Sequence, residues 1–173
     1  FRSFPMFEVE YIFLNVRAKS VGEVSELKML APDDNETYAK AEVNLSEVLV
    51  QVEEGHTNKI ELTDEMGMYM KYPTIDSFVN TGITEVTASN MLDIISSCVA
   101  QIYDKKGEEV FDAKDQTKEE LIEFVEQLNT SQFRDLQQFF DTMPKLKHVV
   151  RVKNPKTGVE SDILLQGLAD FFG

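Results

Sequence analysis

The alternation between Lys145 and Gln166, broken once by a turn, leaves the end of this chain few folds to choose from. Leu146, His148, Val150 and Val152 alternate mostly with basic residues, while Val159, Ser161, Ile163 and Leu165 alternate with Glu160, Asp162, Leu164 and Gln166. Period-two patterning puts one set on each face of a strand, so the segment predicts a β-hairpin. Asn154 to Gly158 supplies the turn: Pro155 suits the first central position of a type I turn, and glycine tolerates the left-handed conformation that follows it. With a four-residue loop, Val152 faces Val159, Arg151 faces Glu160, His148 faces Ile163 and Leu146 faces Leu165. Apolar then meets apolar, with one pair of opposite charges. Leu168, Phe171 and Phe172 follow on a segment too short to stand alone, which needs a surface to dock on.

Upstream, Thr117 and Glu120 form a capping box, because the hydroxyl can accept an N–H at a helix start and the carboxylate can reach back to the cap. Leu121, Val125 and Leu128 then share one helical face, with Ile122 and Phe124 alongside. Asn129, Thr130 and Ser131 compete for backbone bonds and restart a second helix carrying Phe133, Leu136, Phe139 and Phe140. Pro144 lacks an N–H and disfavours helical geometry at Met143, which ends that helix near Asp141.

From Phe7 to Arg17 the chain is densely apolar; Val9, Ile12, Phe13 and Val16 fit a helical stripe, with a buried strand as the alternative. Alternating pairs then recur at Leu27/Met29, Ala39 to Leu45, Val48 to Val52, Ile60/Leu62 and Met66 to Met70, with turns at Pro32 to Asn35 and Glu53 to His56. These predict an antiparallel sheet. Pro73 closes that region before a turn and short helix through Phe78. Thr84 or Thr87 can cap the next helix, whose stripe of Leu92, Ile95, Cys98 or Val99, and Ile102 stops at Lys105-Lys106-Gly107. Val110 and Phe111 add a short strand. The expected fold is α+β in a single domain spanning 1–173. It has an N-terminal helix, a sheet-rich part over 22–73, a helical part over 74–143, and the hairpin with its aromatic tail over 144–173.

A chain of 173 residues that is 42% hydrophobic can bury a real core. No run approaches the roughly 18 apolar residues of a membrane span. Phe1 to Pro5 lacks the apolar core of a signal peptide, so a cytoplasmic origin is expected. One cysteine, Cys98, excludes an internal disulfide and a multi-cysteine zinc site. The net charge of −14 repels nucleic-acid phosphates and anionic membranes. Lys145, Lys147, Arg151, Lys153 and Lys156 break the pattern as a basic edge on an acidic body, suited to intramolecular pairing or to an acidic partner.

No residue group carries a catalytic signature. His56 has two carboxylates before it but no second histidine or cysteine nearby, and reads as a loop residue. His148 belongs to the apolar strand face, and Cys98 reads as a small core hydrophobe. Asp33 to Glu36 lacks the ligand spacing and glycine of a calcium loop and reads as a turn. There is no phosphate-binding glycine loop, nucleophile elbow or zinc-protease helix. No enzyme activity, cofactor or metal is expected. Phe139 and Phe140 read as core; Phe171 and Phe172 could dock on the parent fold or on a partner.

Five blocks, Phe7 to Glu23, Glu54 to Leu62, Met70 to Pro73, Phe139 to Leu146 and Gly167 to Phe172, together resemble the baseplate hub and hub-assembly family of T-even-type, contractile-tailed phages. The resemblance implies a non-enzymatic viral protein made in the host cytoplasm. It would act as an assembly chaperone or as a hub component in the virion tail, with baseplate hub proteins as partners and no nucleic acid or membrane. It brings no catalytic or ligand residues. The expected partner-binding residues are Lys145, Lys147, Arg151, Lys153, Lys156, Phe171 and Phe172, with the cations steering encounter and the aromatic tail anchoring. An acidic DNA-mimic inhibitor is the alternative from another class.

Overall fold

A computed structural model describes residues 2–81, 87 and 90–172. Its first elements are α1 (Met6–Val21), β1 (Val24–Leu30), β2 (Tyr38–Asn44), β3 (Leu49–Gln51), β4 (Lys59–Glu61) and β5 (Met66–Met70). Then come α2 (Ile75–Thr81), α3 (Met91–Ser97), β6 (Val99–Asp104), β7 (Glu109–Asp112), α4 (Lys118–Glu126) and α5 (Thr130–Thr142). β8 (Lys145–Lys153) and β9 (Glu160–Gln166) precede a short 3₁₀ turn, Leu168–Phe171. Every described strand pair is antiparallel, in keeping with the expected α+β class.

The chain divides into two compact units, a framing unit of residues 7–52 and 144–173 and an inserted unit of residues 1–6 and 53–143. The sheet-rich stretch 22–73 is accordingly not one sheet. β1 and β2 form a pair, β3-β8-β9 a second sheet, and β4-β5-β6-β7 a third. β3 pairs with β8 and β5 with β6, partners distant in sequence, so local alternation located the strands without assigning them to sheets.

In the framing unit, Leu27, Ala39, Ala41 and Val43 of the first hairpin share a core with Leu14 and Ala18 of α1 and with Leu146, Val150, Val152 and Leu165. α1 is a helix, as the stripe suggests, but the buried residues are Leu14 and Ala18, whereas Phe13 and Val16 are 58% and 57% exposed. Apolar residues occupy both sides of this helix, and the sequence stripe picked out the outer one. Gly22, at φ 136°, ends it.

The β8–β9 hairpin forms with the expected faces and a register two residues from the expected one. Val152 faces Ser161, Arg151 faces Asp162, Val150 faces Ile163 and His148 faces Leu165. The turn is Pro155 to Gly158, closed by Gly158 N–H to Asn154 O at 2.8 Å and Asn154 N–H to Val159 O at 2.9 Å. Gly158 takes the left-handed conformation inside the loop (φ 78°), so Asn154 joins the ladder and every pair moves by two. A shift of two preserves the faces, which is why the alternation survives it.

In the inserted unit the stripe from Leu92 to Ile102 is not a single helix. α3 ends at Ser97, and Val99 to Asp104 is the strand β6, with Ile102 facing Met68 on one side and Phe111 on the other. Two ladders satisfy that backbone, outweighing a spacing that suits a helix. The part expected to be helical therefore contains β6 and β7. Lys105, Lys106 and Gly107 form their hairpin turn, where Asp104 accepts the Lys106 N–H at 2.8 Å. Thr84 lies outside the described residues.

α4 and α5 follow their caps. Thr117 Oγ1 accepts the Glu120 N–H at 3.2 Å and the Glu120 carboxylate accepts the Thr117 N–H at 2.8 Å. Asn129 and Gln132 repeat the arrangement. α5 stops at Thr142, with Met143 extended before Pro144.

Gly67 on β5 sits under Tyr103 of β6. A Cβ there would press on the Tyr103 hydroxyl and lie 2.7 Å from the Ile60 carbonyl oxygen of β4. Both neighbours are held by the sheet, so Gly67→Ala is expected to destabilise by roughly 1–3 kcal/mol, read as a lower urea midpoint.

Candidate functional site

β8 alternates cleanly. Leu146, Val150 and Val152 point into the core, and Lys145, Lys147, Val149, Arg151 and Lys153 form the row on the opposite, outward face. Neighbouring strands extend that face with Leu49 and Gln51 of β3 and with Glu160, Asp162, Leu164 and Gln166 of β9. Val149 lies directly across from Leu164, and Leu49 lies across from Lys147, diagonal to Val149. These three apolar residues are 58%, 52% and 56% exposed.

Four of the expected cations thus share one face around an apolar centre. Arg151 donates from Nε to Asp162 Oδ1 at 2.9 Å and from Nη2 to Oδ2 at 3.3 Å. That fork lowers the Asp162 pKa and raises that of Arg151. The pair is exposed and well solvated, so it orders the face more than it stabilises the fold. Lys153 faces Glu160, while Lys145 and Lys147 are half-buried alongside β3.

Lys156 stands apart, exposed in the β8–β9 loop. That loop is fixed by Asn154, which is 1% exposed and donates from Nδ2 to Asp33 at 3.0 Å. Thr157 Oγ1 donates to the same carboxylate at 2.6 Å. Those two bonds lower the Asp33 pKa, and Asp34 accepts the Thr37 N–H at 2.9 Å. Asp33 to Glu36 is therefore the turn expected, tied across to the second hairpin loop.

The tail pair separates. Phe171 is 0% exposed and packs in the framing core, so it has no surface to offer a partner; the partner-anchor role expected of it is corrected to a core role. The 3₁₀ turn of Leu168 to Phe171 folds its ring inward, and Ser25 Oγ donates to the Phe171 carbonyl at 3.1 Å. Phe172 keeps 36% exposure. Sequence reasoning missed the apolar centre at Leu49, Val149 and Leu164. Its signal was available at Val149 and Leu164, the two residues that interrupt the charged side of each alternation.

Other groups with chemical potential are engaged in packing. The Thr142 hydroxyl donates to Gln138 O at 2.7 Å, which leaves its oxygen to accept from His56 Nδ1 at 2.9 Å. His56 Nε2 is then the acceptor for the Tyr72 hydroxyl, also at 2.9 Å. The neutral ring is thus held as its Nδ1–H tautomer, with Phe139 5.4 Å away by ring centroid. Cys98 is fully buried, and desolvation pushes its thiol pKa to about 11. Among the described residues, no group of three or more His, Cys, Asp or Glu could hold a metal ion, and no helix is long and apolar enough to cross a membrane.

Two outcomes follow. Cys98 should label slowly with a thiol reagent in the native state and rapidly in denaturant, because the thiol is covered and fully protonated at neutral pH. Burial also lowers the His56 pKa below 6.5, against the opposing charge of Glu53. The unfolded chain therefore takes up a proton that the folded chain resists. The His56 contribution is present above pH 6.5 and lost as pH falls toward the folded-state value. Urea melts from about pH 7.5 to 5.5 should show a steeper acid loss in the wild type than in His56→Gln.

Across residues 1–173 the sequence matches a family model described as T4 bacteriophage base plate protein. No curated protein and no solved structure matches it.

Proposed function

Given that the chain belongs to the T4 bacteriophage base plate protein family, we propose that it serves assembly of the baseplate hub, as a chaperone or as a hub component, by protein contacts and without catalysis. It is made in the host cytoplasm, binds phage hub proteins, and as a hub component would be carried into the virion tail. The observation that supports this reading is the outward face of β3-β8-β9, where Leu49, Val149 and Leu164 lie exposed among Lys145, Lys147, Arg151 and Lys153.

An apolar centre ringed by charge is what a specific protein contact needs. The centre loses water on binding, and the charges speed encounter and reject wrong partners. A row of cations also argues against mimicry of DNA, whose surface is uniformly acidic. The partner face should be acidic, with association slowing as salt shortens the screening length to about 8 Å near physiological strength.

Val149→Asp with Leu164→Asp tests the reading, since both side chains are exposed and the fold should tolerate the change. Expected is an unchanged thermal melt, loss of co-purifying hub proteins from infected cells, and failure to complement a tail-assembly defect. A stable double variant that builds normal tails would overturn the role of this face. Recovery of a host DNA-binding protein in place of hub proteins would favour the mimic.

A further inference from the structure

α1 has a second apolar side that its own unit does not cover. With 3.6 residues per turn, Val9, Phe13, Val16 and Ser20 fall on one stripe, opposite the buried Leu14 and Ala18. Phe13 and Val16, at its middle, are more than half exposed. A helix that presents apolar residues on both sides is built to be covered on both sides.

The charges bordering the stripe indicate what covers it. On helical geometry Glu10 and Arg17 lie along one border, and Glu8 and Lys19 along the other. Both acids are in the first half of the helix and both bases in the second. When two copies of a helix pack antiparallel about a two-fold axis, each border meets its own counterpart, and the residue numbers in facing pairs add to a constant. Glu8 opposite Lys19 and Glu10 opposite Arg17 require the same constant. One axis, between Phe13 and Leu14, therefore satisfies all four charge pairs of the dimer. It also sets Phe13 of each copy against Phe13 and Val16 of the other. A parallel pair would place each acid against an acid and each base against a base.

We infer that α1 is a self-association surface: two copies of this chain pair through antiparallel α1 helices, with Phe13 and Val16 as the apolar seam and Glu8–Lys19 and Glu10–Arg17 as the pairs that set direction. Glu10 and Arg17 are half-buried, and the Glu10 carboxyl accepts a hydrogen bond from the Leu168 backbone. Glu8 and Lys19 are exposed. The exposed pair is the one that can be exchanged without disturbing the fold.

Sedimentation equilibrium on the purified chain, at concentrations up to about 100 µM to capture micromolar affinities, reads the result. The expected mass is about twice the 19.7 kDa of one chain. Phe13→Asp should give a monomer with an unchanged thermal melt, because the ring is on the outer side. Lys19→Glu should weaken the dimer roughly tenfold through its two symmetric pairs, and adding Glu8→Lys to it should restore the wild-type affinity. A wild-type monomer over the whole range, a dimer that survives Phe13→Asp, or an exchange that restores nothing would each overturn the inference. If the wild type is a monomer and Phe13→Asp instead removes a co-purified hub protein, the stripe belongs to that partner and the self-association is wrong.

Discussion

The framing unit joins Leu49, Val50 and Gln51 to Lys147, Leu146 and Lys145, and Gln51 and Lys147 are 96 positions apart. Joining the ends of a flexible loop costs entropy that grows with the logarithm of its length. The inserted unit reduces that cost from within. His56 and Thr142, near its two ends, are hydrogen-bonded at 2.9 Å, and Tyr72 stacks on the same imidazole while Phe139 packs tilted against it. A connection pinned in this way behaves as a loop of about ten residues in place of about 90, worth roughly 2 kcal/mol in closure entropy. The histidine that in sequence looked like a loop residue is thus a clasp between the unit's ends, and its neutral tautomer follows from the proton that Thr142 gives to Gln138.

What the sequence disclosed was local. The Thr117–Glu120 capping box, the helix restart at Asn129, the Pro144 stop, the alternation of β1, β2, β8 and β9 and the burial of Cys98 depend on residues a few positions apart, and their chemistry is complete within that window. What it concealed required partners from elsewhere. Val99 to Asp104 reads as helix because Leu92, Ile95 and Ile102 keep helical spacing, yet two ladders claim its backbone. The division of the strands among three sheets has no local signature at all. The hairpin register falls between these cases: the faces were legible, and the exact pairing hinged on whether Asn154 belonged to the turn or to the ladder.

The candidate site was legible to the same extent. The basic row was visible because charge is a property of residues. Val149 and Leu164 stood in the sequence as breaks in the charged side of each alternation, and Leu49 joined them only when β3 was placed beside β8. Phe171 and Phe172, indistinguishable by type, are separated by the 3₁₀ turn that carries one ring into the core and leaves the other at its edge.

The two exposed surfaces of the framing unit differ in a way that bears on how they can work. The outward face of β8 carries four cations against two acids from β9, with Arg151 forked onto Asp162 and Lys153 across from Glu160, so its charge is weighted to one sign. α1 divides its acids and bases between its two halves, so it matches its own reverse. A chain with one self-complementary surface and one weighted to a single sign of charge can pair with itself and still present two equivalent docking faces. That combination suits an assembly in which copies must associate with each other and with a different subunit without the two contacts competing.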